Sequence, residues 1–146
     1  MKSLGYVYNY TTEDIIKIAK KFNFKLFIDN FNKNNNSFPY VNSKDVKFIV
    51  VQEGENVYGI LAYSLPESLD EYRRQNKDPN INLAHLWDIE VLENFRGQAL
   101  SAQLLFRLFG QDLKGITLKV LNEDLIEFYK KFGFELYSDL KMIKIF

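Results

Sequence analysis

The sequence predicts a single mixed α/β domain in which strands and helices interleave irregularly. Three observations carry this. Alternating apolar segments that suit strands stand near both ends and in the middle of the chain, with helix-spaced apolar stripes between them. Two neighbouring strands join through a tight turn. The order is therefore β-α-(α)-β-β-β-α-β-α-β-β, not the regular βαβ alternation of a doubly wound sheet. Finally, 146 residues with 47% hydrophobic and 16% aromatic side chains suffice for one core. No repeat or linker divides them, so residues 1–146 are read as one domain.

Residues 5–10, GYVYNY, alternate and form the first predicted strand. Thr11 or Thr12 caps a helix with Glu13 and Asp14 in its first turn and Ile15, Ile18, Ala19 and Phe22 on its apolar face. Phe24, Phe27, Ile28 and Phe31 give residues 23–32 the spacing of a second helix. Asn32–Asn36 and Pro39 read as a loop, either plain surface or a lip for an acceptor molecule. Val46–Gln52 and Val57–Ser64 form a hairpin around Glu53-Gly54-Glu55-Asn56, and Pro66 ends it. The polar stretch 67–82 reads as one short helix followed by a loop through Pro79. A strand over about 82–92 and a helix from about Gly97 to Phe109 follow, with Gly110 as C-cap. Ile116–Leu121 alternates as a strand. Asn122 caps a helix striped by Leu125, Ile126, Tyr129 and Phe132 and stopped by Gly133. Phe134–Tyr137 and Lys141–Phe146 close the chain as strands.

Composition excludes several chemistries. Lysine plus arginine and aspartate plus glutamate both number 19, so no excess basic charge supports generic nucleic-acid binding. The absence of cysteine removes disulfides, thiolate nucleophiles and thiolate-bound zinc, and a single histidine argues against a metal site. No apolar run reaches membrane-spanning length and no signal peptide opens the chain, so the expectation is a cytoplasmic protein without membrane contact. Phosphate-loop, dinucleotide-loop and serine-elbow motifs are missing.

The stretch His85–Ala102, HLWDIEVLENFRGQALSA, organises the rest. It starts as a β-forming run, passes a polar turn holding Arg96 and Gly97, and ends in a helix whose leucines recur at helical spacing. Unpartnered N–H groups at a helix start, the helix dipole and a guanidinium together outline an anion site. This stretch resembles the signature of the GNAT superfamily, the acyl-CoA-dependent N-acetyltransferases, whose motif is Arg/Gln-x-x-Gly-x-Gly/Ala. Here it reads Arg96-Gly97-Gln98-Ala99-Leu100-Ser101, with Ala99 and Ser101 as departures that are still small. A second match is Val120-Leu121-Asn122 followed by Phe128-Tyr129-Lys130-Lys131-Phe132-Gly133-Phe134, similar to the family's strand, asparagine and aromatic-Tyr helix.

The resemblance implies a mixed, mostly antiparallel sheet of six to seven strands flanked by helices and splayed between the fourth and fifth strands. Acetyl-CoA would lie in that cleft as cosubstrate, with no metal. Ile89, Glu90 and Val91, Arg96, Gly97, Gln98, Ala99, Leu100 and Ser101, and Asn122 with Tyr129, would hold it. The implied reaction is direct acetyl transfer in a ternary complex to a primary amine, on a small molecule or a protein, by a monomer or homodimer. Tyr129 would protonate the departing thiolate. His85 is the candidate base or proton relay, because imidazole titrates near neutrality. Simple strand alternation puts His85, Trp87, Ile89 and Val91 on one face and Leu86, Asp88 and Glu90 on the other. Trp87 would then wall the acceptor site. Asp88 and Glu90 are the alternative bases if a bulge resets the alternation. The alternative function is a non-catalytic module of the same fold that binds acyl-CoA or a protein partner.

Overall fold

The computed structural model describes residues 3–32, 45–97 and 99–146. Its elements are β1 (Gly5–Val7), α1 (Thr12–Phe22), α2 (Lys25–Asn32), β2 (Val46–Glu53), β3 (Asn56–Ser64), α3 (Pro66–Gln75), β4 (Ala84–Val91), α4 (Leu100–Phe109), β5 (Gly115–Lys119), α5 (Asp124–Lys130), β6 (Glu135–Ser138) and β7 (Lys141–Ile145). The predicted loop beyond Asn32, including Pro39, lies outside the described residues, as does Gln98.

The strands form one seven-stranded sheet in the order β1-β2-β3-β4-β5-β7-β6. Among the described residues only β4 and β5 run parallel, and the other strand pairs are antiparallel. The hydrophobic core is split by the sheet. On one face α1 and α2 bury Ile15, Ala19, Phe24 and Phe27 against Phe48, Val50, Ile60 and Ala62. On the other, Leu100, Leu104, Leu105 and Leu108 of α4 pack on Ile49, Leu61, Leu86 and Val91. Gly59 permits that approach: a Cβ there would stand 3.2 Å from Leu104 Cδ1 and 3.0 Å from Val51 Cγ1.

Local chemistry sets the boundaries. Thr11 and Asp14 form a capping box at α1, each side chain bonding the other's backbone N–H at 3.1 and 2.9 Å. Asn23 turns left-handed (φ 63°) and separates α1 from α2, as asparagine tolerates. Pro66 occupies the first turn of α3, where its missing N–H costs nothing. Several predicted elements are longer than the observed ones. The first strand stops at Val7 because the chain turns into the Thr11 cap, and the predicted helix from Gly97 starts only at Leu100. Gly97 (φ 90°) and Ala99 (φ 58°) are left-handed and cannot continue a helix. The central strand begins at Ala84 because Arg73 of α3 takes the carbonyls of Asn80 and Leu83. Asn122 is not itself the N-cap of α5, which is Glu123. Its Oδ1 accepts the N–H of Asp124 at 3.0 Å and so performs the capping from one residue upstream.

Candidate active site

The parallel ladder between β4 and β5 covers only Ala84–Ile116, His85–Thr117 and Leu86–Leu118. Beyond Leu86 the two strands part, while β4 stays paired to β3 as far as Val91. Alternation decides which backbone groups are left open. The N–H of Leu92 donates to Tyr58 O at 3.0 Å, so Leu92 and Glu90 bond toward β3, and Ile89 and Val91 direct their main-chain groups toward the gap. The carbonyl of Val91 is met there by Arg96, whose Nε donates to it at 3.0 Å. Tyr58 stacks on Phe95 with ring centroids 3.9 Å apart and fixes the turn that carries Arg96.

The same strand carries a bulge. Asp88 pairs with Ala62 and Leu86 with Tyr63, leaving Trp87 unmatched. This overturns the simple alternation predicted from sequence. Leu86, Ile89 and Val91 face the α4 layer, whereas His85, Trp87, Asp88 and Glu90 share the α1/α2 face. Each polar residue on that face has a distinct environment. Glu90 accepts the N–H groups of Leu26 and Phe27 at 3.1 and 3.3 Å, so its carboxylate caps α2. Burial pushes its carboxyl up, against the pull of those donors and of Arg96. Asp88 accepts from Asn30 Nδ2 at 2.8 Å. The Trp87 indole N–H donates to Ser64 Oγ at 2.8 Å.

His85 Nδ1 lies 2.8 Å from Thr117 Oγ1, and the ring meets Trp87 edge-on at 4.4 Å between centroids. Burial, with the nearby charges of Arg73 and Lys141, pushes its imidazolium down to about 3. The expectation that His85 titrates near neutrality is therefore corrected: it stays neutral through the physiological range. Tyr129 of α5 packs with the α4 layer, and burial, helped by the negative charge of Asp88, pushes its phenol up to about 12. Tyr129 and Asp88 thus belong to opposite faces of the sheet and sense each other where β4 and β5 separate.

At the other end of the gap, α4 begins with no side-chain cap: Ala99 holds the N-cap position and offers the first-turn amides no acceptor. A Cβ at Gly97 would meet nothing within 4 Å, so the approach to this turn is open. Leu100 is buried, Ser101 half-buried, and Asn122 exposed. A cavity of about 540 Å³ opens on the α1/α2 face, lined by His85, Trp87, Asp88, Tyr72, Tyr137 and Lys141 among others. Sequence reading missed several constituents, and the most buried charged one is Arg73. It is 4% exposed, donates through Nη2 to Thr117 Oγ1 at 2.9 Å, and faces Asp78 at 3.7 Å. The signal was present: Leu69, Tyr72 and Arg73 share one face of the short helix read within the polar stretch 67–82. Among the described residues no group of three or more potential ligands could hold a metal ion, and no helix is long and apolar enough to cross a membrane.

A mixed sheet whose parallel pair stays laddered over only three residue pairs thus carries an uncapped helix start and a buried phenol on its α4 side. Residues 12–134 match the family described as the acetyltransferase (GNAT) family, and the chain belongs to it. An acetyltransferase from Thermus thermophilus superposes with a TM-score of 0.67 at 16% identity, covering 100% of both chains. A GNAT family acetyltransferase from Brucella melitensis in complex with acetyl-CoA gives a TM-score of 0.59 at 16% identity, over 100% of this chain and 90% of that one. AtaT complexed with acetyl-methionyl-tRNAfMet gives 0.55 at 14% identity, over 98% and 95%. No curated protein sequence matches the chain.

Proposed function

We propose that the protein moves an acetyl group from acetyl-CoA to a primary amine by direct transfer in a ternary complex. The observation that carries this is the end of the β4–β5 ladder at Leu86–Leu118, beyond which main-chain groups of Ile89 and Val91 are left unpaired by any described strand, with Tyr129 near enough to feel the charge of Asp88. Acetyl-CoA supplies the activated acetyl thioester. The first-turn amides of α4 at Leu100 and Ser101, with Arg96, suit its diphosphate. The main chain of Ile89 and Val91 suits its amide-bearing arm, and Asn122, exposed just before α5, is a further candidate contact for that arm.

Tyr129 remains a phenol at every working pH, as a proton donor to a departing thiolate must. Asp88 takes the proton that the acceptor nitrogen sheds as its bond to the acetyl carbon forms. His85 stays neutral and relays or orients rather than stores that proton, because its conjugate acid is too strong to persist. Glu90, committed to capping α2, is the weaker candidate for base.

A second reading, a module that holds acyl-CoA without catalysis, draws on Ala99, which takes the left-handed conformation a glycine would adopt without strain. Free-thiol release from acetyl-CoA across an amine panel tests the first reading. The neighbour bound to acetyl-methionyl-tRNAfMet adds an aminoacyl-tRNA to the small and protein amines in that panel. Saturable acetyl-CoA binding by calorimetry without any thiol release would favour the second reading.

A further inference from the structure

The cavity beside Asp88 continues past His85 to the sheet's far half, where its chemistry changes sign. Lys119 of β5 and Lys141 of β7 are direct cross-strand partners, and both line this cavity. Their neighbours Leu118 and Met142 face the α4 layer, so the two lysines share the opposite face with His85 and Asp88. Directly opposed residues on one face lie about 5 Å apart, and like charges so placed repel. Neither lysine has an ion-pair partner among the described residues, and both are exposed. The neighbouring basic group, Arg73, is already held by Asn80 O, Leu83 O, Thr117 and Asp78.

A tyrosine completes the arrangement. The pairing of β6 with β7 skips from Leu136–Met142 to Ser138–Lys141, so Tyr137 is a bulged residue, and it lines the same cavity. The wall therefore has two bulged aromatics, Trp87 beside the proposed acetyl-transfer point and Tyr137 beside the lysines. An acceptor that filled it would meet the Asp88 carboxylate at one end and, at the other, two unpaired cations with a phenol, beside an Asp78 whose charge Arg73 already offsets.

Resting on the transferase reading above, we propose that the acceptor is a small zwitterionic amine: its amino group is presented to Asp88 and its carboxylate or phosphate is held between Lys119 and Lys141. The lysine pair that repels itself in the free protein gains a shared counter-ion when this substrate binds. A polyamine is disfavoured on the same ground, because it would bring further positive charge to that wall.

The test pairs acceptors that differ only in the anion: β-alanine against propylamine, and phosphoethanolamine against ethanolamine. Thiol release is followed with the full chain, and calorimetry measures binding to the CoA-saturated protein. The anionic member of at least one pair is expected to have a kcat/KM about tenfold or more above its neutral partner, mostly through KM. The pair that discriminates tells carboxylate from phosphate. In Lys119→Gln/Lys141→Gln the ratio is expected to collapse to within about twofold. The calorimetric signal for the anionic member should weaken in parallel. Equal rates within both pairs, preference for spermidine, discrimination that survives the double substitution, or no saturable binding of either anion would overturn the proposal. If acetyl-CoA itself fails to bind, the transferase reading falls instead, and that outcome is distinguished by the CoA titration alone.

Discussion

Tyr129 and His85 are both shifted by burial, in ways that suit different tasks. Tyr129→Phe removes the proton but keeps the ring, so kcat should fall by about 10²-fold or more while the acetyl-CoA Kd changes by less than about threefold. Comparable losses in both would make Tyr129 a packing residue. Because its phenol lies near 12, no alkaline loss of rate below about pH 11 should trace to it. His85 has the opposite sign. Its native value near 3 lies below the unfolded value near 6.5, so between these the unfolded chain binds more protons. The contribution of His85 to stability should therefore fall as pH drops from about 6.5 toward 3, then level off. Urea midpoints at pH 7, 5 and 4 should show a shallower slope in His85→Gln; an identical slope would mean that the imidazole is free to charge. Ala99 is a simpler case. Its left-handed backbone costs about 1 kcal/mol, so Ala99→Gly should raise the Tm by a few degrees. An unchanged or lower Tm would contradict that strain. The alanine was visible in the sequence as a departure from a glycine position, whereas the depressed histidine was not. Its environment comes from burial by the tertiary fold and, after that, from the charges of Arg73 and Lys141, 12 and 56 positions away in the chain.

Among the elements, α3 and α2 are held to the sheet by buried polar contacts rather than by apolar faces alone. Arg73 ties α3, the following loop and β5 together through Asn80 O, Leu83 O and Thr117 Oγ1. Arg73→Ala would leave buried acceptors unmet and should cost about 2–4 kcal/mol in denaturant unfolding. A loss below about 0.5 kcal/mol would show that water replaces the guanidinium. Boundaries set by local residues were legible: the Thr11 cap, the hairpin turn at Glu53–Asn56 and the end of the hairpin before Pro66 all stand where turn and cap chemistry put them. Those set from a distance were not. The β4 bulge at Trp87 arises from pairing with β3, and no period in the strand's own sequence announces it. That bulge moved Asp88 and Glu90 together onto the face of His85 and so brought the Asp88 carboxylate to the cavity.

At the scale of the whole molecule, the sheet order puts the parallel β4–β5 pair in the middle, with antiparallel strands on both sides. Its short ladder lets groups from opposite faces meet in one gap. The element order and the two matched segments were enough to anticipate this sheet and its family. The acceptor wall was not legible, because Tyr72, Arg73, Lys119, Tyr137 and Lys141 come from four elements that only the tertiary fold brings together. The central claim is that the parted strands, and not another surface, receive acetyl-CoA. Backbone amide NMR during an acetyl-CoA titration tests it most directly. Saturable shifts at Ile89, Val91, Leu100 and Ser101, with β1 and β2 unmoved, are the predicted result; shifts confined elsewhere, or none at millimolar ligand (~1 mM), would contradict it.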